Sequence, residues 1–230
     1  MKRILITICL LALLTGNLFA GIRLYGEGDV AELIAGSPSA EQFPQAGAAV
    51  LLDQKIIKYN PDRSSITDEH LVVKILQDRG KNEFGDIKRR YNQEGDSVVV
   101  VRAVSYLNDG TVLPVEAKSI NDITPADLAN ASIYSNIRQK VVSFPGIAPG
   151  VTIELKLQTF SKAPEPGELF LIGGTDLFQR NDPIMHKELS VICPEDVTIR
   201  YTYQNEGLDY SSMTDKGMIT HTWQIDNATQ

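Results

Sequence analysis

Short runs in which apolar and polar side chains take turns recur along most of the chain, whereas apolar residues at helical spacing stay brief. Val151, Ile153, Leu155 and Leu157 alternate with Thr152, Glu154, Lys156 and Gln158, which predicts a strand dry on one face and wet on the other. Within Thr67 to Gln77, Leu71, Val73 and Ile75 are set to face one way and His70, Val72 and Lys74 the other. Val197, Ile199, Tyr201 and Tyr203 alternate with Thr198, Arg200, Thr202 and Gln204, and in Met218 to Ile225 a face is shared by Ile219, His221, Trp223 and Ile225. The stretch Ser97 to Glu116 differs. Val98 to Val101 run without polar alternation, predicting a strand covered on both faces, and the following Asn108-Asp109-Gly110 predicts a hairpin that returns through Thr111 to Glu116.

Further strands are expected at Val50 to Tyr59, Ile87 to Tyr91, Ile133 to Phe144 and Pro183 to Ile192, with an apolar stretch at Leu169 to Phe178. Turn chemistry separates them: Asn60-Pro61-Asp62, Asp78-Arg79-Gly80-Lys81, the pairs Pro145-Gly146 and Pro149-Gly150, and Pro194-Glu195-Asp196. Two short helices fit this frame. Asp29 to Ala35, capped by Asp29, would lay Val30, Leu33 and Ile34 on the body, and Pro125 to Asn130 would make one turn capped by Thr124. The expectation is an all-β fold, an antiparallel two-sheet β-sandwich of about ten strands. It would occupy residues 48–230, behind an irregular arm at 21–47.

Residues 1–20 read differently. Lys2 and Arg3 precede an apolar run from Ile4 to Leu14 and a polar break before Leu18-Phe19-Ala20, the layout of a signal peptide ending at Ala20. The run is shorter than the roughly 20 residues a spanning helix needs, and no later stretch resembles one. An exported chain, periplasmic or extracellular, is therefore expected. Of 22 basic and 29 acidic residues, losing Lys2 and Arg3 leaves 20 against 29, a net −9 that argues against nucleic acid as a partner. With Cys9 removed, Cys193 alone remains and forms no intrachain disulfide, so stability must come from packing.

The order of features carries a resemblance. It comprises the arm ending in Phe43-Pro44, Ala49-Val50-Leu51-Leu52-Asp53, and Lys74-Ile75-Leu76 followed by Gly80. It continues with Asn108-Asp109-Gly110, Tyr134 to Pro145 with Arg138, and Pro149-Gly150-Val151 leading into Glu154. Together these resemble the uncharacterised domain found ahead of a transglutaminase-like core in exported bacterial proteins. The resemblance spans Phe43 to the C-terminus. It implies a β-sandwich outside the cytoplasm and a papain-like Cys-His-Asp core next in the chain. The sequence stops about where that core would begin, so the chain is either a stand-alone version of the domain or a shortened one, and no catalytic residue carries over.

A search for chemistry returns structural readings. Cys193, between Ile192 and Pro194 at a strand end, reads as a buried structural cysteine, not a thiolate nucleophile. His70, His186 and His221 lack the short ligand spacing of zinc motifs. Glu154 and Lys156 read as an exposed ion pair on a wet sheet face. Gly146 to Gly150 precedes a strand, not the helix a phosphate loop needs. Tyr201, Tyr203, Tyr210 and Trp223 read as core or domain-interface packing, with stacking on sugars as the alternative. No catalytic, cofactor-binding or metal-binding residue is assigned. The expected function is a non-catalytic accessory module mediating contact with a transglutaminase-like domain or another envelope protein. The alternative is a stand-alone binder of glycans, peptidoglycan or other envelope polymers, and an enzyme using Cys193 or a histidine metal site stands behind both.

Overall fold

The computed structural model describes residues 22–128, 136–165, 173–203 and 207–228. The leader reading of 1–20, the first part of the apolar stretch at 169–178 and the ends of the expected elements around 129–135 lie outside them. A helix, α1 (Glu27–Ala35), comes first, followed by strands β1 (Ala48–Tyr59) and β2 (Ser65–Ile75). A second helix, α2 (Asp78–Phe84), leads into β3 (Asp86–Asn92), β4 (Asp96–Tyr106), β5 (Val112–Pro114) and β6 (Ile120–Ile123). The remaining strands are β7 (Ile137–Ser143), β8 (Thr152–Ser161), β9 (Ile184–Pro194), β10 (Asp209–Asp215) and β11 (Met218–Ala228).

The strands form two sheets, one of eight in the order β10-β11-β9-β1-β2-β8-β4-β5 and one of three in the order β3-β7-β6, a two-sheet sandwich as expected. Among the described strands every pairing is antiparallel except β1 with β9, which run parallel from Val50 opposite Ile184 to Lys58 opposite Ile192. A parallel pair needs a long crossover, and here the chain between β1 and β9 builds the other sheet on the way.

The core between the sheets is assembled by alternation. Val73 and Ile75 of β2, Ile153, Leu155 and Leu157 of β8, Ile184 of β9 and Ile225 of β11 meet Val142 and Phe144 from the smaller sheet. The opposite face of the large sheet holds a second apolar cluster, Leu51, Leu52, Val72 and Leu76. The arm closes over it with Tyr25, Val30, Leu33, Ile34 and Phe43. Val30 has no solvent exposure, and α1 begins at Glu27, two residues before the expected start. Asp29 occupies the third helical position, and its carboxylate accepts the Gly26 N–H at 2.8 Å, reaching back to the cap instead of being the cap.

Three local expectations are corrected and a fourth is met with a shorter return strand. The valine run is not covered on both faces: Val98 is buried, but Val99 is 47% and Val101 59% exposed, because the arm reaches only the Tyr106 end of β4 and a bulge lies between Val100 and Arg102. The predicted hairpin after it is present, with Gly110 at φ 85° and Leu107 N–H bonded to Thr111 O at 2.8 Å, although its return strand β5 is only three residues long. Residues 78–81 open α2 instead of a bare turn. Gly47 O accepts from both Leu76 N and Gln77 N, and a Cβ on Gly80 would come within 2.0 Å of that same oxygen, so glycine is required for α2 to lie against the start of β1. Finally, 197–203 is not a strand despite its alternation, and the strand beside β11 is β10, which buries no side chain.

Candidate functional site

Register brings six polar side chains into one row across the arm-covered face of the large sheet. Arg102 on β4 lies opposite Lys156 on β8, Lys156 opposite His70 on β2, His70 opposite Gln54 on β1, Gln54 beside Glu188 on β9, and Glu188 opposite Gln224 on β11. One pleat further toward the arm, Glu154 of β8 projects between Val72 and Val104 and is fully buried. The exposed pair expected from Glu154 and Lys156 is therefore corrected. Alternation correctly placed both residues on one face, but the arm, more than a hundred residues earlier in sequence, covers that face.

Burying a carboxylate is costly unless it is paired and hydrogen-bonded, and Glu154 is. It accepts from Arg102 Nε at 2.8 Å and the Tyr106 hydroxyl at 2.7 Å on one oxygen. The other faces His70 Nε2 at 3.0 Å, with Lys156 Nζ at 3.7 Å. Burial by itself would raise the carboxyl's pKa; the bonds from His70, Arg102 and Tyr106 outweigh it and bring it down to about 2. His70 moves the other way from its ordinary value, downward, because burial disfavours its cation more than Glu154 supports it. The neutral ring then carries its proton on Nε2, as the contact to Glu154 requires. Tyr106 is raised, first by burial, and stays a hydrogen-bond donor.

The same row fastens the arm. Arg102 Nη1 reaches Glu27 of α1 at 3.1 Å, Lys156 Nζ donates to Tyr25 O at 3.0 Å, and Gln54 Nε2 donates to Arg23 O at 2.6 Å and Glu188 Oε1 at 3.1 Å. Lys74 Nζ donates to Ser37 Oγ at 2.9 Å. The cluster's free hydrogen-bonding capacity is directed at arm backbone. A carboxylate held near 2 is neither a general acid nor a useful base at neutral pH, and its partners are committed to it. The arrangement fastens the arm to the sheet.

A second network pins residues 173–182 to the other face of the sheet. Buried Lys187 on β9 bridges Asp53 of β1 at 2.7 Å and Asp176 at 2.6 Å, and Arg180 approaches Asp53 at 3.8 Å. Burial would raise Asp176, but Lys187 lowers it.

The three histidines go to three separate environments: His70 to Glu154, His186 Nδ1 to Asp226 at 2.6 Å, and His221 Nδ1 to the Tyr210 hydroxyl at 2.8 Å. Cys193 is fully buried on β9, and burial raises its thiol, which matches the structural reading. Gly146 at φ 67° and Gly150 at φ 91° make the turns between β7 and β8. The aromatic residues divide. Trp223 is buried against the sheet, whereas Tyr201 and Tyr203 are 46% and 55% exposed, with ring centroids 6.4 Å apart and planes within 11°. Tyr201 lies 5.1 Å from Trp223 and 4.9 Å from Tyr210, so the rings form a partly exposed patch over β10 and β11 instead of core packing.

Among solved structures, a candidate protease from Parabacteroides distasonis ATCC 8503 is similar over 80% of this chain and 36% of its own, with 18% identity and a TM-score of 0.70, a shared fold. The chain thus spans about a third of the length of that protein. An M1 zinc metallopeptidase from Deinococcus radiodurans (14% identity, 77% of this chain and 39% of that one, TM-score 0.37) is far more distant in shape. So is a CBM3a-L domain of the Clostridium thermocellum cellulosome scaffoldin (11% identity, 51% and 69%, TM-score 0.29). No curated protein matches the chain. Residues 61–229, from the turn after β1 to the end of β11, match the family model of a domain of unknown function with a solved structure, DUF3857. That span is well over half of the sequence and includes the strands that carry His70, Arg102, Glu154 and Glu188, so the chain belongs to the DUF3857 family.

Proposed function

We propose that the chain is a non-catalytic, exported β-sandwich module, the accessory domain of a transglutaminase-like protein, and that it acts by contact with its neighbouring domain or another envelope protein. The observation that carries this reading is how the polar residues are used. The most deeply buried carboxylate, its histidine, arginine, tyrosine and lysine are bonded to one another and to the arm, an arrangement that holds a segment in place and leaves no activated nucleophile beside a base. The fold's similarity to about a third of a longer candidate protease supports a part played within a larger protein. The basic and apolar leader supports export.

Intact mass of the protein from its own source, with chemical crosslinking, tests this. A mass tens of kilodaltons above the 25.3 kDa of these 230 residues, or a crosslinked envelope partner, is expected. A chain of that mass or less with no crosslinked partner contradicts it. Glycan binding is a second reading, favoured by the exposed near-parallel rings of Tyr201 and Tyr203. Retention on immobilised polysaccharide or peptidoglycan, lost on Tyr203→Ala, would select it, and free passage through both would remove it.

A further inference from the structure

The edges of the two sheets are treated unequally. One edge of the large sheet is β5, three residues long and closed by Pro114. In the small sheet, β6 has four residues, and β3 carries the cations Lys88, Arg89 and Arg90 in succession. Short strands, proline and cationic side chains are the ordinary means by which an edge is kept from pairing with another chain. The remaining edge, β10, is neither short nor interrupted by proline or a cation, and its only charges are the aspartates at its two ends, Asp209 and Asp215. Its seven residues, Asp209 to Asp215, contain no proline, glycine, lysine or arginine, and all are exposed, Met213 at 50%. They pair along their whole length with β11, from Asp209 opposite Gln224 to Asp215 opposite Met218, without a register shift. Among the described residues no backbone hydrogen bond joins the outer edge of β10 to another segment.

We propose that this outer edge is a strand-addition site for an extended polypeptide bearing a basic residue at each end of a seven-residue run. The inference rests on the interaction reading above and names the surface and the partner's chemistry. Charge selects the occupant. A second copy pairing antiparallel about Ser212 would set Asp209 opposite Asp215 at both ends, and a parallel copy in register would set each aspartate beside its twin. Like charges directly opposite one another destabilise a pair, whereas opposite charges support it. Alternation adds a side-chain preference. Tyr210 and Ser212 lie in register with Trp223 and His221, and the Tyr210 hydroxyl is bonded to His221 Nδ1, which fixes the ring. With Tyr201 at 4.9 Å, it offers an aromatic wall to alternate apolar side chains of an incoming strand.

The probe is the capped peptide Lys-Val-Thr-Val-Thr-Val-Lys, compared with its Glu-ended counterpart, and the readout is amide hydrogen exchange across the full chain. The lysine peptide is expected to slow exchange in β10 and to bind about threefold to tenfold more tightly than the glutamate peptide, from two opposite-charge pairs. In the doubly substituted Asp209→Lys, Asp215→Lys protein the preference reverses; both positions are exposed, so folding is retained. No slowing in β10 at saturating lysine peptide overturns the proposal, as does slowing indifferent to the end charges. Slowing that grows with protein concentration alone also overturns it, since a second copy would then be the occupant. A native mass or crosslink that supports the accessory role, with β10 unresponsive, removes this inference and leaves that role standing. A responsive β10 in a protein with neither leaves the edge site standing and removes the role.

Discussion

Glu154 is the residue on which the arm side of the molecule depends. Removing one partner of a buried, hydrogen-bonded charge cluster leaves the others uncompensated, so Glu154→Gln is expected to lower stability by roughly 2 to 4 kcal/mol at neutral pH, measured by urea unfolding. The pH dependence has a definite sign. The carboxyl's folded pKa, about 2, lies below its unfolded value of about 4.3, so its contribution is complete above that unfolded value and is lost as pH falls toward 2. The stability gap between wild type and Glu154→Gln should therefore shrink between about pH 4.5 and 2. A gap that stays constant through that window would mean that Glu154 is not held ionised by its neighbours. Alternation in the sequence put Glu154 and Lys156 on one face of their strand and His70 on one face of another, without pairing the two strands, and the Glu154 face was read as wet. Nothing within ten residues of Glu154 records that α1 lies over it, and a buried carboxylate and a solvated one look alike until the covering segment is known.

Among the elements, α1 is held by one fully buried side chain and a set of polar fasteners. Val30 packs on Leu51, Leu52 and Val72, while Arg102, Lys156, Gln54 and Lys74 bind Glu27, Tyr25, Arg23 and Ser37. Val30→Ala removes two methyl groups from that contact and should cost about 1 to 2 kcal/mol. The expected signature is local. Proteolytic cleavage within 22–47 and amide exchange in α1 should rise well before the sheets open. A uniform rise across both sheets would show that the arm unfolds only with the whole domain. Strands that bury one face against the other sheet were largely legible: β2, β8 and β11 fall where alternation put them, and β1 and β9 where strand runs between turn signals put them. β10 was not, because the run DYSSMTD has two widely spaced apolar residues and buries neither. The stretch 197–203 misled for the opposite reason. Its alternation is regular, yet no strand forms there, and its tyrosines lie exposed over Trp223.

The molecule as a whole is a sandwich whose larger sheet is covered on one face by the smaller sheet and on the other by the arm, with an ion pair to each covering, Arg89 of β3 to Glu69 and Arg102 to Glu27 of α1. Fold class was legible because it depends on many local alternations that average over individual errors. The parallel pairing of β1 with β9 was not, since side-chain faces say nothing about which strands are neighbours. Function follows the same division. Carboxylates and histidines are spread through the sequence, and only their positions in space show that Glu154 binds His70 and Arg102, that His186 binds Asp226, and that Cys193 is buried apart from them. An accessory module, as proposed, has no chemistry of its own. The most direct measurement is amide hydrolysis and transamidation by the purified protein on a protein substrate, alongside Cys193→Ala and His70→Ala variants. Turnover no greater than the buffer control is expected for all three. Turnover by the wild type that disappears in either variant would contradict the accessory role.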